Sequence, residues 1–229
     1  MTSSRDPSGR MDPQGRLWLA DTLWRIGAIQ FGDFSLGRTV RNSPVYVNAK
    51  LLISRPDVLK RTARLIQDEL ELEMLKRQRT VDPFDAIAGV PIGGLHVATA
   101  LALQMEKPLL YIRPPKDSEE TTTPQIEGIY RPGQRVIVVD DLAAGGGSLV
   151  TTAKGLRNAG LVVTDTVVLM DREQGAARRL EAAGVRMHSL LSLAVVLTYL
   201  DSSKLLREGD FDRAMAYLRR EGEPRSEFD

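Results

Sequence analysis

Apolar residues near the start of the chain recur at helical spacing. Leu19, Leu23 and Ile26 share one face and predict a helix over 17–26, with Gly27 placed to close it. Alternation around Phe31, Phe34, Val45 and Val47 predicts short strands and turns between Ile29 and Val47. Ser54, with Asp57 three residues on and Pro56 in the first turn, reads as the cap of a long helix. Leu59, Ala63, Ile66, Leu70 and Met74 supply its apolar stripe. From Phe84 onward the pattern switches repeatedly between the two periods. Strands are predicted over 85–89, 109–113, 135–139, 162–170 and 185–190, and helices over 95–105, 148–158 and 174–183. A last helix is expected near 211–219. Strands this apolar, separated by helices, predict an α/β fold whose central, mainly parallel sheet is covered on both faces. Ligands of such sheets sit at the carboxyl ends of the strands, which directs attention to the loops after Gly89, Arg113, Val139 and Met170.

Composition narrows the class. The 229 residues are 42% hydrophobic and 27% charged, enough apolar surface for a core of ordinary size. Residues 1–16 read as a disordered tail, 17–220 as a single domain and 221–229 as a polar tail. With 31 Lys and Arg against 30 Asp and Glu, the chain lacks the basic excess of a nucleic-acid or anionic-membrane binder. There is no cysteine, which excludes disulfides, thiolate nucleophiles and zinc–thiolate or iron–sulfur sites. The longest mostly apolar stretch, Leu190 to Leu200, is too short to span a bilayer, and the polar N-terminus does not read as a signal peptide. A soluble cytoplasmic protein is expected. His96 and His188 are the only histidines, too few and too far apart for a zinc site, and read as packed or hydrogen-bonded. Trp18 and Trp24 read as packing residues of the first helix.

The chemistry concentrates in one string. Val136-Ile-Val-Val-Asp140-Asp141-Leu142-Ala143-Ala144-Gly145-Gly146-Gly147-Ser148 is a buried strand, two carboxylates, a glycine-rich turn and a helix start. Glycines let backbone N–H groups approach an anion, and a helix N-terminus aims free donors at it. Ser148 can add a hydroxyl. The carboxylates would repel a phosphate, but they suit ribose hydroxyls or indirect help in holding a metal. Together they ask for a molecule with both a diol and a phosphate. No G-x-x-x-x-G-K-[ST] is present, and no G-x-G-x-x-G follows the first strand, so neither a P-loop nor a dinucleotide site is indicated.

This string resembles the PRPP-binding motif of type I phosphoribosyltransferases. Further segments narrow the resemblance to orotate phosphoribosyltransferase, including the form fused into eukaryotic UMP synthase. They are Phe31-Gly-Asp-Phe34, Ser43-Pro-Val-Tyr46, Ile53-Ser-Arg-Pro56, Gly89-Val-Pro91, Ile126-Glu-Gly128, Asp171-Arg-Glu-Gln-Gly175 and His188-Ser-Leu-Leu191. The resemblance runs from about Leu19 to Leu200.

It implies the type I fold with an N-terminal α+β hood over 17–80, a core over 84–200 and a C-terminal helix over 201–220. It implies transfer of phosphoribose from PRPP to orotate, giving orotidine monophosphate and pyrophosphate. Mg²⁺ would be carried by PRPP, with no direct protein ligand. Asp140 and Asp141 would face the ribose diol. Leu142 and Ala143 would lead into a 5′-phosphate cradle formed by Ala143, Ala144, Gly145, Gly146, Gly147 and Ser148. Gly93 and Gly94 would meet pyrophosphate. Arg172 would pair with the orotate carboxylate, with Ala144 beside it. Arg113 and Lys116 match the cations of a loop that closes over pyrophosphate, often in the neighbouring subunit's site, so a homodimer is implied.

Three departures from the family pattern stand out. The loop Arg113-Pro-Pro-Lys116-Asp-Ser-Glu-Glu120 has Pro114 where a second lysine is usual, Ser118 for an aromatic or His, and Glu119 for a hinge glycine. Ala144 and Gly145 stand where threonine hydroxyls are usual. The lysine that normally follows Phe-x-Leu has no clean counterpart, with Arg38 or Arg41 as candidates, and Asn48 and Lys50 replace the commoner Asp and Arg. Each lost cation would remove a few kcal/mol of leaving-group stabilisation, roughly 10²–10⁴ in rate for one or two losses. Three readings follow: an orotate enzyme with reduced activity, a non-catalytic PRPP- or nucleotide-binding relative, and a phosphoribosyltransferase for another base.

Overall fold

The structure, a computed structural model, describes residues 13–36, 40–114 and 125–222. Helix α1 runs over Pro13–Arg25 and so begins inside the segment read as tail. Arg16 extends from it to Glu69 at 2.9 Å, a contact that ties its start to the following long helix. Gly27, in the left-handed region, closes α1, and the N–H of Ala28 returns to the carbonyl of Leu23. The strands expected next are an antiparallel hairpin, β1 (Ile29–Leu36) and β2 (Val40–Val47), in a sheet of their own.

A 3-10 turn over Ala49–Ser54 leads into α2 (Pro56–Leu75). The expected Ser54 cap is not formed. Ser54 ends the 3-10 turn, Arg55 occupies the cap position without a side-chain cap bond, and Asp57 pairs with Arg55 at 3.1 Å. Pro56 starts the helix as expected, because its missing N–H would have no intrahelical partner there.

The larger sheet has six strands in the order β5-β4-β3-β6-β7-β8: β3 (Ala86–Gly89), β4 (Leu109–Ile112), β5 (Ile126–Glu127), β6 (Val136–Ala143), β7 (Asp165–Asp171) and β8 (Arg186–Ser192). All pairings are parallel except β4 with β5, a two-residue edge strand that the sequence pattern does not reveal. Helices α3 (Gly93–Met105), α4 (Gly147–Asn158) and α5 (Ala176–Ala182) connect the strands; α6 (Leu193–Ser202) and α7 (Asp210–Gly222) follow.

The period of two along β6 sorts its residues between two cores. Ile137 and Val139 join the core beneath α1, α2, α3, α6 and α7; Val136 and Val138 join the one beneath α4 and α5. This is why the strand reads as an unbroken apolar run. Helix α6 is missed for a related reason. The apolar run Leu190–Leu200 passes from strand to helix without a polar break except Ser192, whose hydroxyl caps α6 by accepting the N–H of Val195 at 3.3 Å.

The N-terminal ends of β7 and β8 carry a charge cluster. Asp165 accepts from Arg186 at 2.8 and 2.9 Å and from Thr164 at 2.9 Å, and lies 3.0 Å from His188 Nε2. Arg186 also reaches Asp82 at 2.8 Å. His188 is thus the hydrogen-bonded residue expected, whereas the buried Nδ1 of His96 has no partner. Burial alone would raise the Asp165 pKa, but the bonds from His188, Arg186 and Thr164 outweigh it and hold this carboxyl well below the usual range. A carboxyl held low in the fold contributes stability that is present above its unfolded value, near pH 4, and is lost as the pH falls below it. Asp165→Asn should therefore cost about 3 kcal/mol at neutral pH, and the gap to wild type should narrow between about pH 4 and pH 2 in denaturant titrations. A gap independent of pH would remove the charge from the explanation.

Candidate active site

The chain runs outward from β3 to β4, then returns to place β6 on the other side of β3. Strand order therefore reverses between β3 and β6, and the loops leaving these two strands face one crevice at their carboxyl ends. The first is Val90–Ile92, whose Pro91–Ile92 peptide is cis, and it opens α3 at Gly93 and Gly94. The second is Ala144–Gly146, which opens α4.

Asp140 and Asp141 lie in the carboxyl half of β6 and are 7% and 5% exposed. The Asp140 carboxylate accepts the N–H of Asp141 at 2.8 Å. Burial first, and the neighbouring Asp141 charge second, push the Asp140 carboxyl well above its ordinary value. One oxygen of Asp141, Oδ2, is buried with no hydrogen-bond partner. Its charge is met by Lys50 Nζ at 3.6 Å, from the 3-10 turn that follows the hairpin.

Gly93 and Gly94 are required by this approach. A Cβ on Gly93 would lie 2.4 Å from both Asp141 oxygens, and one on Gly94 would lie 2.5 Å from the Val139 carbonyl. Only glycine lets α3 start this close to the carboxylates. The second loop is equally bare. Gly146 is left-handed at φ +71° and caps α4 with no side-chain bond, so the first N–H groups of α4 have no intrahelical acceptor. Ala144 and Gly145 are half-buried, Gly147 and Ser148 exposed. Arg179 of α5 donates to the Gly145 carbonyl at 3.2 Å and steadies the loop.

Arg172 follows β7. Its backbone N–H bonds the Ala143 carbonyl at 2.8 Å, which sets it beside the start of the glycine turn. The side chain is 6% exposed. Its Nη2 donates to Ser43 of β2 at 3.4 Å, and its Nε has no hydrogen-bond partner. Burial lowers its pKa, opposed by Tyr217 and Glu221 of α7. A guanidinium still keeps its charge there.

The crevice thus gathers Gly93, Gly94, Asp140, Asp141, Leu142, Ala143 to Ser148, and Arg172. Arg113, at the end of β4, is 44% exposed and ion-paired with Glu127. Lys116 and Arg38 lie outside the described residues. Sequence reasoning gave no role to Ser43 or Arg179, and noted Lys50 only as a departure. Ser43 lay within the Ser43–Tyr46 motif, yet contact with a residue 129 positions away leaves no local signal.

The phosphoribosyl transferase domain model matches residues 54–195. An orotate phosphoribosyltransferase of Cenarchaeum symbiosum is 38% identical over 184 residues, covering 80% of this chain and 88% of that protein. The chain belongs to the orotate phosphoribosyltransferase family. The uridine 5′-monophosphate synthase of Bos taurus is 34% identical over 200 residues, 87% of this chain but only 40% of that longer protein. The crystal structure of the Aeropyrum pernix orotate phosphoribosyltransferase superposes with a TM-score of 0.66 at 34% identity, over 80% of this chain and 99% of that one. The central sheet and crevice described above are therefore those of an orotate phosphoribosyltransferase-family fold. No helix among the described residues is long and apolar enough to cross a membrane.

The two glycine contacts make separable predictions. Gly93→Ala meets a side chain, so its loss of stability, about 1–3 kcal/mol, should be largely relieved by adding Asp141→Ala. Gly94→Ala meets backbone and should gain nothing from that second change. Thermal denaturation of the four variants measures both, and equal rescue would show that the two glycines do not meet the carboxylates differently.

Proposed function

We propose that this chain transfers phosphoribose from PRPP to orotate, giving orotidine monophosphate and pyrophosphate. The observation that carries the reading is Arg172. It is a buried guanidinium with an unpartnered Nε–H, fixed beside the start of the glycine turn. A buried cation with a spare N–H can take an anionic ligand, and a planar carboxylate accepts two guanidinium N–H groups at once. Orotate supplies that carboxylate. The neighbouring amides of Ala144 to Ser148 suit a 5′-phosphate, and the acceptors Asp140 and Asp141 suit ribose hydroxyls.

In the reaction, the bond from the anomeric carbon to pyrophosphate breaks and a bond to orotate N1 forms. Pyrophosphate departs with the bonding electrons, and the N1 proton passes to it or to solvent. Positive charge grows at the sugar and negative charge at the leaving group. Arg172 and the glycine turn hold the two reactants in line, which converts binding into rate by positioning. Asp140 and Asp141 fix the ribose, and Asp141, which faces Lys50 in the free chain, sets negative charge beside the developing cation. Gly93 and Gly94 leave room for pyrophosphate, and Arg113 and Lys116 bring cations to it. Arg113 must first give up Glu127.

Mg²⁺ fits as a passenger of PRPP. The partnerless Asp141 Oδ2 can accept a ribose hydroxyl or a metal-bound water. Bound with the substrate, the ion would neutralise pyrophosphate charge. The reading extends to a cytoplasmic homodimer whose Arg113–Glu127 loop serves the neighbouring site, and to a turnover lowered by the Pro114 and Glu119 changes.

The test is spectrophotometric loss of orotate with PRPP and Mg²⁺, omitting each in turn. Turnover should need all three. No turnover, with PRPP still bound in calorimetry, would make the chain a binding relative or an enzyme for another base. Arg172→Ala should weaken orotate binding at least about tenfold and leave PRPP binding intact. Asp140→Ala with Asp141→Ala should do the reverse. Lys116→Ala should lower turnover more than it weakens either substrate. Unchanged orotate affinity in Arg172→Ala would remove that residue from the base site.

A further inference from the structure

Lys50 is the charged side chain near the carboxylate pair that the roles above leave unused. It stands on the 3-10 turn after β2, and that turn packs on both α3 and β6. Its Nζ is 3.6 Å from Asp141 Oδ2, and Asp141 is its ion-pair partner among the described residues. The pair is lopsided. The lysine side chain is 49% exposed and the carboxylate 8%. The cation therefore faces the crevice from the solvent side, with the carboxylate behind it. At 3.6 Å the contact is an ion pair beyond ordinary hydrogen-bond length, and Oδ2 has no other partner. Gly93 lies against the same carboxylate, so Lys50 and the first turn of α3 converge on one point.

An ammonium on a four-carbon stem can move several ångströms at little cost, unlike a guanidinium locked in a fork. Its hold on Asp141 is replaceable. A ribose hydroxyl donating to Oδ2 satisfies that oxygen better than a cation at 3.6 Å, and it frees the lysine charge at the edge of the site. The anion that then lies within reach, next to Gly93 and Gly94, is a diphosphate.

We infer that Lys50 is a further cation of the reaction centre: it balances Asp141 in the free enzyme and turns to the diphosphate leaving group when the ribose hydroxyls take over Asp141. The inference rests on the phosphoribosyl-transfer reading. It also provides, from the hood side, a positive charge in a protein whose loop has Pro114 in place of a second lysine.

The experiment compares wild type, Lys50→Met and Lys50→Arg, each also combined with Asp141→Asn. Calorimetry with magnesium pyrophosphate, in the presence of ribose 5-phosphate to supply the hydroxyls, and with orotate is read beside turnover. Lys50→Met should weaken pyrophosphate about tenfold or more, leave orotate affinity within twofold, and lower kcat more than it raises the KM for PRPP. Lys50→Arg should keep pyrophosphate affinity within about fivefold. The pyrophosphate loss should persist in the Asp141→Asn background. Its disappearance there would mean that Lys50 is only the counter-ion of Asp141, and would overturn the inference. So would a wild type that binds no pyrophosphate. A wild type that binds pyrophosphate through Lys50 yet never consumes orotate would sink the orotate reading and leave the Lys50 assignment standing.

Discussion

Burying Asp140 and Asp141 side by side at the end of β6 costs free energy twice, through lost hydration and through mutual repulsion. The surrounding structure meets that cost piece by piece. The Asp140 carboxylate takes a backbone N–H, and Lys50 comes in from the hood to face Asp141. Two glycines let α3 begin against the carboxylates without a side chain between them. What is left over is one buried oxygen with no donor and a carboxyl, Asp140, whose charged form is disfavoured. On the proposed reading, both would be answered by a ligand that brings hydroxyl donors and cations.

The two ends of the sheet divide the electrostatic work. At the N-terminal ends of β7 and β8, Asp165 is surrounded by Arg186, His188 and Thr164, and its carboxyl is held low. At the carboxyl ends, Asp140 is held high and Arg172 keeps an unpartnered donor. The same residue types thus do opposite things. Satisfied charges lock the fold at one end, and under-satisfied charges remain at the other. The helix connections enforce this, because they leave free N–H groups only at the carboxyl ends of the strands.

The departures from the family pattern look different once the backbone is in view. Ala144 and Gly145 lack the usual hydroxyls, but the backbone N–H groups of the turn keep their direction, set by Gly146 and by the uncapped start of α4. Arg179 holds the Gly145 carbonyl from α5, so the turn is braced without threonine. The loop after Arg113 has fewer cations than the family pattern, and the hood brings Lys50 to 3.6 Å from Asp141.

Much of this was legible in the chain itself. The alternation of apolar strands and helices determined an α/β fold with both sheet faces covered, because period-two and period-3.6 patterns are local properties. The Asp140–Ser148 string determined a strand end, a glycine turn and a helix start, since turn and helix-start chemistry is also local. Other features were not local, and only the tertiary structure decided them. Ser54 resembled a cap until the 3-10 turn claimed it, and α6 was hidden in a run apolar enough to suit either period. The Arg172–Ser43 and Lys50–Asp141 contacts join residues far apart in sequence, brought together by the packing of the hood onto the sheet. Residue type fixes which charges exist, and only their approach in space fixes which are satisfied and which are left for a ligand.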